Sequence, residues 1–473
     1  MDPKKFRKAA HRLVDWMADY LEDPGEYPVL PDVEPGEVRA QIDDEAPGQG
    51  EDFEAIFSDF ENLVVPGMTH WNHPGFFAYF PANHSPPSVL AEMLTATLGA
   101  QCMSWETSPA ATELEEAMME WLADLIDLPR GFTGVIQDTA SSATLVSLLT
   151  AREAAADGEV GRKGMAKGGR DWVIYTSTEA HSSVDKAVKL AGFGLENLRK
   201  VGVDEDFAMC PDGLAEAVVA DREAGKVPLA VVATVGTTSS TAVDPLREIG
   251  AVAEREDLWL HVDAAYAGSA AILPEKRWIF DGIEYADTMV FNPHKWLLTN
   301  FDCSAYFTKD VDALISTFQA SPEYLKTRHD REVSNFRDWG IPLGRRFRAL
   351  KLWFVLRSYG ADGLRAILRR HIELARWFRG AVDDHPDFEI LAPSPFGLVC
   401  FRYTPEGVGE AELDEMNQEV LSRLRDEKSL HLTHTRLGEK FCLRMSIGQW
   451  QTEGHHVERA WEIITGVVEE LRR

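Results

Sequence analysis

Short apolar runs alternate with stretches of helical periodicity through the middle of this chain. Gly134–Gln137, Trp172–Thr176, Leu229–Val235, Leu258–Asp263, Thr288–Phe291 and Ser304–Phe307 are compact and mostly rich in β-branched or aromatic residues, the pattern of buried strands. Between them, Ala140–Ala156, Ser182–Ala191 and Leu246–Arg255 repeat apolar residues at helical spacing. Such alternation predicts an α/β unit with a mixed, mostly parallel central sheet and helices on both faces. Function in sheets of this kind gathers at the strand ends.

The flanks read differently. Phe6, Ala9, Leu13, Val14, Met17 and Leu21 follow helical spacing and predict an amphipathic N-terminal helix. A loose acidic stretch follows around Val33–Asp52, and Pro86–Leu128 is again helical. Two long helical segments, Leu343–Tyr359 and Ala361–Val382, precede a smaller α+β unit. Its strands are expected near Phe388–Leu391, Gly397–Tyr403 and Phe441–Ser446, and its helices near Glu410–Arg425 and His456–Leu471. The expected organisation is an N-terminal helical segment over 1–85, a large α/β domain over 86–383 and a small C-terminal α+β domain over 384–473.

Composition narrows the function classes. With 473 residues, 45% hydrophobic and 26% charged, the chain has the make-up of a soluble globular protein. No apolar run approaches the roughly 20 residues needed to span a bilayer, and the charged start lacks the apolar core of a secretion signal. The net charge of −29 makes nucleic acid and anionic membranes poor partners. Arginine outnumbers lysine two to one, so the acidity reads either as plain solubility or as adaptation to salt. Five scattered cysteines without a CxxC pair argue for reduced thiols in a cytoplasmic protein and against a zinc or disulfide framework.

The chemistry stands at two strand ends. Asn292-Pro293-His294-Lys295-Trp296 follows the apolar run Met289-Val290-Phe291. A lysine there is costly to bury, and desolvation pushes such an amine toward nucleophilicity, as in a Schiff base with pyridoxal phosphate. Asp263 closes the run Leu258–Val262 and offers the carboxylate that such a cofactor's ring nitrogen requires. Gln137–Ala143 runs from a strand through small hydroxylated residues into a helix, a ready phosphate site whose serines and threonine are equally ordinary helix caps. Thr238 and Asn292 follow two further strands. His181, just after a strand, reads equally as a ring-stacking imidazole or as a helix-start residue.

The sequence resembles the group II pyridoxal-phosphate decarboxylases, and within them the aromatic-L-amino-acid decarboxylases. The resemblance covers nearly the whole chain. It runs through Thr69-His70-Trp71, Phe76–Pro81, Ser108-Pro109-Ala110, Ala180–Ser183, Val262–Gly268, Asn292–Leu298, Asn300–Ala305 and Ile341–Arg348. It implies a fold-type I homodimer with shared active sites and the N-terminal segment packed across the partner. It also implies that Lys295 carries pyridoxal phosphate, that Asp263 pairs with the pyridinium, and that His181 and Ala265 sandwich the ring. Ala140, Ser141, Thr238 and Asn292 would hold the phosphate end and its surroundings, with His294 supporting the lysine.

Gln319–Asn335 is polar and reads as a mobile loop. Tyr324 aligns with the family's loop tyrosine, which returns a proton to the α-carbon after CO₂ leaves. Related aldehyde synthases carry phenylalanine there, so tyrosine favours decarboxylation over the alternative, decarboxylation with oxidative deamination. The implied pocket holds Trp71, Tyr79, Phe80, Pro81 and Ala82, with Gln101 and Met103 from the partner chain. Its aromatic walls suit phenyl or indole side chains, and no arginine stands among these positions to meet a side-chain carboxylate. Ala82 stands where the animal pattern has a threonine associated with catechol hydroxyls, and Gly344 resembles a small residue that leaves room for indole in plant relatives. Tryptophan or phenylalanine is therefore the expected substrate, with tyrosine, dopa and 5-hydroxytryptophan following.

Overall fold

The computed structural model describes residues 1–319 and 332–472. Tyr324 therefore lies outside the described residues. Contacts group the chain into two compact units, Ala82–Arg376 with Ile390–Cys400, and Met1–Pro81 with Trp377–Glu389 and Phe401–Arg473.

The larger unit is organised by a seven-stranded sheet. Its strands are β1 (Thr133–Gln137), β2 (Trp172–Ser177), β3 (Leu198–Val201), β4 (Val227–Thr234), β5 (Trp259–Asp263), β6 (Thr288–Phe291) and β7 (Ser304–Thr308). They lie in the order β1-β7-β6-β5-β4-β2-β3. The β2–β3, β2–β4, β4–β5 and β5–β6 pairs are parallel. β7 runs antiparallel to both β6 and β1. The mixed, mostly parallel α/β sheet expected from the sequence is thus present. β2, β6 and β7 are buried at every residue, which requires cover on both faces and explains their continuous apolar runs.

Helix packing fixes the sheet. The helix Ala140–Ala155 lays Ala143 and Val146 against Val135, Val290 and Tyr306. Leu148 of the same helix joins Trp172, Ile174, Ala230 and Val232, where Val184, Ala187 and Val188 of helix Ser183–Leu190 also pack. Burying each of the valine, leucine and isoleucine side chains among these contributes on the order of 1.5–3 kcal/mol, so the helix that begins beside Asp138 is held from two directions.

The other unit carries most of a four-stranded sheet in the order β10-β11-β9-β8. These strands are β8 (Phe388–Ile390), β9 (Leu398–Tyr403), β10 (Thr433–Leu437) and β11 (Lys440–Ser446). Helices Glu410–Asp426 and Gly454–Leu471 accompany them. Asn417 ties the first to β9, accepting from Tyr403 N at 2.8 Å and donating to its carbonyl at 2.8 Å. The amphipathic N-terminal helix forms over Pro3–Glu22, capped by Asp2, whose carboxylate accepts from the Lys4 and Lys5 N–H groups.

Three differences from the sequence expectation have physical causes. β3 is a short edge strand of sequence Leu-Arg-Lys-Val whose first three residues stay accessible, so its apolar signal is weak. β10 alternates Thr, His and Arg and exposes its second and fourth residues. The helix expected from Leu343 starts at Arg348 and runs to Asp383, with Gly360 at φ 64° marking the break anticipated between two segments. Residues 343–347 instead form an irregular segment that turns Arg345 inward.

Arg345 meets Glu115 in a buried, bidentate ion pair, at 2.6 Å from Nη2 to Oε1 and 3.0 Å from Nη1 to Oε2. Glu115 Oε1 also accepts from Ile136 N at 2.8 Å, and Arg345 Nη2 donates to the Ile136 carbonyl at 2.7 Å. The pair thereby clasps β1 to the segment before the long helix. Glu115→Ala leaves a guanidinium buried without its counter-charge, a loss of about 3–5 kcal/mol. Urea denaturation of this variant should show that loss. Equal stability of Glu115→Ala and the native chain would contradict the clasp.

Candidate active site

Parallel register places the chemistry. Thr234 on β4 stands opposite Asp263 on β5, and Asp263 stands opposite Val290 on β6. The three strands therefore end together, and each leads into a segment with polar or reactive side chains. After β4 comes Val235-Gly236-Thr237-Thr238, after β5 Ala264-Ala265, and after β6 Asn292-Pro293-His294-Lys295.

Asp263 is buried, with 5% of its surface accessible. Its Oδ1 accepts from Ala265 N at 3.0 Å, which turns the carboxyl group at the strand end. Lys295 lies in a single helical turn, Pro293–Trp296, and its backbone N–H donates to the Asn292 carbonyl. Asn83 Nδ2 donates to the Lys295 carbonyl at 2.9 Å. Trp296, fully buried, stacks on Tyr266 at 4.8 Å and donates from Nε1 to His371 Nδ1 at 3.0 Å. The turn carrying the lysine is thus anchored on both sides of it.

His181 joins this pair electrostatically. Burial lowers its pKa, the Asp263 charge raises it and the Lys295 charge lowers it. Its Nδ1 accepts from Ser183 N at 3.1 Å, which leaves Nε2 to carry the proton of the neutral ring. Ring access to solvent is retained. His294 is held differently. Its Nδ1 accepts from Cys303 N at 2.9 Å, and burial followed by the Lys295 charge pushes its pKa down to about 3. It is a neutral support behind the lysine turn.

The phosphate end has its own geometry. Thr139 caps the helix Ala140–Ala155 by accepting from Ser142 N, which leaves the Ala140 and Ser141 N–H groups without intrahelical acceptors. Ser141 and Thr238 are exposed. Gly236 has a φ of 87°, and a Cβ there would meet Ala267 Cβ at 2.5 Å, so the loop after β4 lies tight against the segment after β5. Asn292 accepts from Ser304 Oγ at 2.7 Å and donates its N–H to the Ala265 carbonyl at 3.0 Å.

Pyridoxal phosphate fits this set of groups. A primary amine, a buried carboxylate, a flat imidazole, a capped helix N-terminus and a glycine-tightened loop converge on one sheet edge, matching its aldehyde, ring nitrogen, ring face and phosphate. Among the described residues no group of three His, Cys, Asp or Glu side chains could hold a metal ion.

The expected substrate residues fall into two groups. Trp71, Tyr79, Phe80 and Pro81 belong to the smaller unit. Trp71 stacks on Tyr79 at 5.6 Å and packs against Phe76 at 4.5 Å. Tyr79 has a φ of 56° and donates its N–H to Thr433 Oγ1 at 3.2 Å. The Arg444 guanidinium lies 5.4 Å over the Phe80 ring and donates to Thr433 Oγ1, a neighbour the sequence order concealed. Ala82, Gln101, Met103 and Gly344 belong to the larger unit. Gln101 Oε1 accepts from Arg345 N at 2.7 Å, and its Nε2 lies 3.1 Å from where a Gly344 Cβ would sit. The Met103 carbonyl accepts from Arg337 N at 2.8 Å.

Sequence reasoning overlooked Asn83, Ser304 and His261, all fully buried polar residues. His261 had a legible signal, since strand alternation puts it on the same face as Asp263. Asn83 lies far from Lys295 in sequence, and Ser304 meets Asn292 only through strand pairing, so neither gave one.

Comparison with known proteins places the chain in context. Residues 35–404 match the model described as the pyridoxal-dependent decarboxylase conserved domain. The chain is 44% identical to phenylacetaldehyde synthase of Arabidopsis thaliana over 98% of its length and 96% of that protein's. It is 44% identical to aromatic-L-amino-acid decarboxylase of Mus musculus over 100% and 99% of the two chains. Among solved structures, Oryza sativa TDC with PLP and tryptamine superposes with a TM-score of 0.97 at 38% identity, covering 100% of this chain and 99% of that one.

The buried histidines set an acid limit. An unfolded histidine takes up a proton near pH 6.5, whereas native His261 and His294 resist to about 4 and about 3 because burial disfavours their charged forms. The unfolded state binds more protons across that window, so stability falls as pH drops from about 6.5, by up to about 1.4 kcal/mol per pH unit for each histidine. Urea denaturation from pH 7 to 5 should show this slope, and His294→Asn should make it shallower. An unchanged slope in that variant would contradict a neutral, buried His294.

Proposed function

The chain belongs to the pyridoxal-dependent decarboxylase family, and we propose that it decarboxylates an aromatic L-amino acid to the arylalkylamine and CO₂. The observation that carries this reading is the convergence of Asp263, Lys295 and His181 at adjoining strand ends. Relatives at similar identity are an aromatic-amino-acid decarboxylase and an aldehyde synthase. Tyr324 favours the first, and the aldehyde synthase remains the alternative reading.

Bound pyridoxal phosphate supplies an electron sink for the bond between the α-carbon and the carboxylate. Lys295 would hold the cofactor through Nζ, Asp263 would pair with a protonated ring nitrogen, and Ala265 and His181 would cover the ring. The Ala140 and Ser141 N–H groups and the Thr238 hydroxyl would hold the phosphate, and Asn292, fixed by Ser304, braces the turn that carries the lysine. Tyr324, by the family resemblance, would deliver a proton to the α-carbon.

Trp71, Tyr79, Phe80 and Pro81 form an aromatic wall suited to indole or phenyl, and Ala82 supplies no hydroxyl for a catechol. Tryptophan and phenylalanine are therefore the favoured substrates. Gln101 and Met103 would come from a second copy of the chain, and Gly344 would leave room for an indole ring. A homodimer is supported by Leu90, Leu94 and Leu98, spaced four apart on helix Pro86–Leu98 and exposed by 54%, 46% and 64%. All five cysteines are free, which supports a cytoplasmic setting. No helix among the described residues is long and apolar enough to cross a membrane.

Product identification by mass spectrometry, from single amino acids with added pyridoxal phosphate, tests the reaction. Tryptamine or phenethylamine should appear without peroxide, and Tyr324→Phe should divert product toward aldehyde, ammonia and peroxide. Aldehyde from the native enzyme would favour the alternative, and a dopa preference above tenfold would overturn the substrate assignment. Leu94→Glu should shift sedimentation from dimer to monomer, and an unchanged dimer would remove this helix from the interface.

A further inference from the structure

A continuous chain of buried hydrogen bonds runs beneath the candidate site. Trp259 Nε1 donates to Ser147 Oγ at 3.0 Å. Ser147 Oγ lies 2.7 Å from Thr288 Oγ1, and Thr288 Oγ1 lies 2.9 Å from His261 Nδ1. His261 Nε2 lies 3.3 Å from Thr144 Oγ1, which donates to the Ala140 carbonyl at 3.0 Å. Ser147, Thr288, His261 and Thr144 have no accessible surface.

The two ends are fixed, since an indole nitrogen only donates and a carbonyl only accepts. Between them the hydroxyls can donate and accept, and a neutral imidazole donates from one nitrogen and accepts at the other. The neutral form agrees with the His261 pKa, lowered to about 4 by burial.

The elements joined are those that carry the proposed cofactor contacts. His261 sits two residues before Asp263 on the same face of β5. Thr288 begins β6, whose far end leads to Asn292 and Lys295. Thr144 and Ser147 belong to the helix whose first residues, Ala140 and Ser141, would meet the phosphate. We propose that His261 is a positioning residue that locks the pyridinium partner, the lysine strand and the phosphate-binding helix into one register through this chain. The proposal rests on the function given above. It assigns His261 no contact with substrate or cofactor.

Each link carries a different part of the geometry. Loss of the Thr144 hydroxyl removes the side-chain link between the helix and β5, and loss of the Thr288 hydroxyl removes the one between β6 and β5. In both cases His261 loses a polar neighbour in a dry interior, which favours local rearrangement over a quiet vacancy. The consequence expected is poorer cofactor retention, since three contacts must be met at once.

The test uses the full chain, stripped of cofactor and titrated with pyridoxal phosphate while the visible absorbance of the bound form is followed. Thr144→Val and Thr288→Val keep side-chain volume and should each raise the dissociation constant at least tenfold. Thr144→Ser and Thr288→Ser keep the hydroxyl and should stay within threefold of the native chain. Thr150→Val is the control. Thr150 is equally buried on the same helix, but its hydroxyl donates only locally to the Val146 carbonyl, at 2.8 Å. This variant should bind like the native chain. His261→Leu should show the largest loss if it folds. Native-like affinity in both valine variants of the chain, or an equal loss in Thr150→Val, would overturn the proposal. A native chain that binds no pyridoxal phosphate would instead overturn the function on which it rests.

Discussion

Everything in the candidate site depends on the parallel pairing of β4, β5 and β6, which ends three buried strands at one level. A buried carboxylate such as Asp263 is stable only where charge or hydrogen bonds compensate for lost hydration. Here an N–H from Ala265 meets one oxygen, and the charges of Lys295 and Asp263 both reach His181. A slip of one residue in β5 would send Asp263 to the opposite face and bring an apolar side chain to the crevice. The register is therefore the condition under which amine, carboxylate and imidazole can share one small volume.

Packing supplies the precision. The helix Ala140–Ala155 contributes to cores against β1, β6 and β7 on one hand and β2 and β4 on the other. Its N-terminus, where an anion would bind, is thus pinned by apolar side chains far from the chemistry. Gly236 and Gly268 let neighbouring segments approach too closely for a Cβ, with Ala267 and Phe291 as the obstructing atoms. The Glu115–Arg345 clasp performs the matching task for the segment holding Gly344.

Much of this was legible in the chain. The strand-ending Asp263 and Lys295 stood out because a charged residue closing an apolar run is energetically unusual. The mostly parallel sheet followed from alternating buried strands and helices. What stayed hidden depended on contacts between distant residues. Asn83 reaches the Lys295 carbonyl across more than two hundred residues, and Ser304 reaches Asn292 from a neighbouring strand. Edge strands β3 and β10 lacked apolar signal because one side faces solvent. Family resemblance, not periodicity, supplied Tyr324 and decided between the two readings of His181.

The central claim is that Lys295 forms the covalent bond with pyridoxal phosphate. Borohydride reduction of the holoenzyme, followed by proteolysis and mass spectrometry of the peptides, tests it directly. The account predicts a single reduced pyridoxyl group on the peptide containing Asn292–Trp296, located at Lys295, and its absence from Lys295→Ala. A pyridoxyl group on another lysine, or none on protein that carries the cofactor, would contradict it.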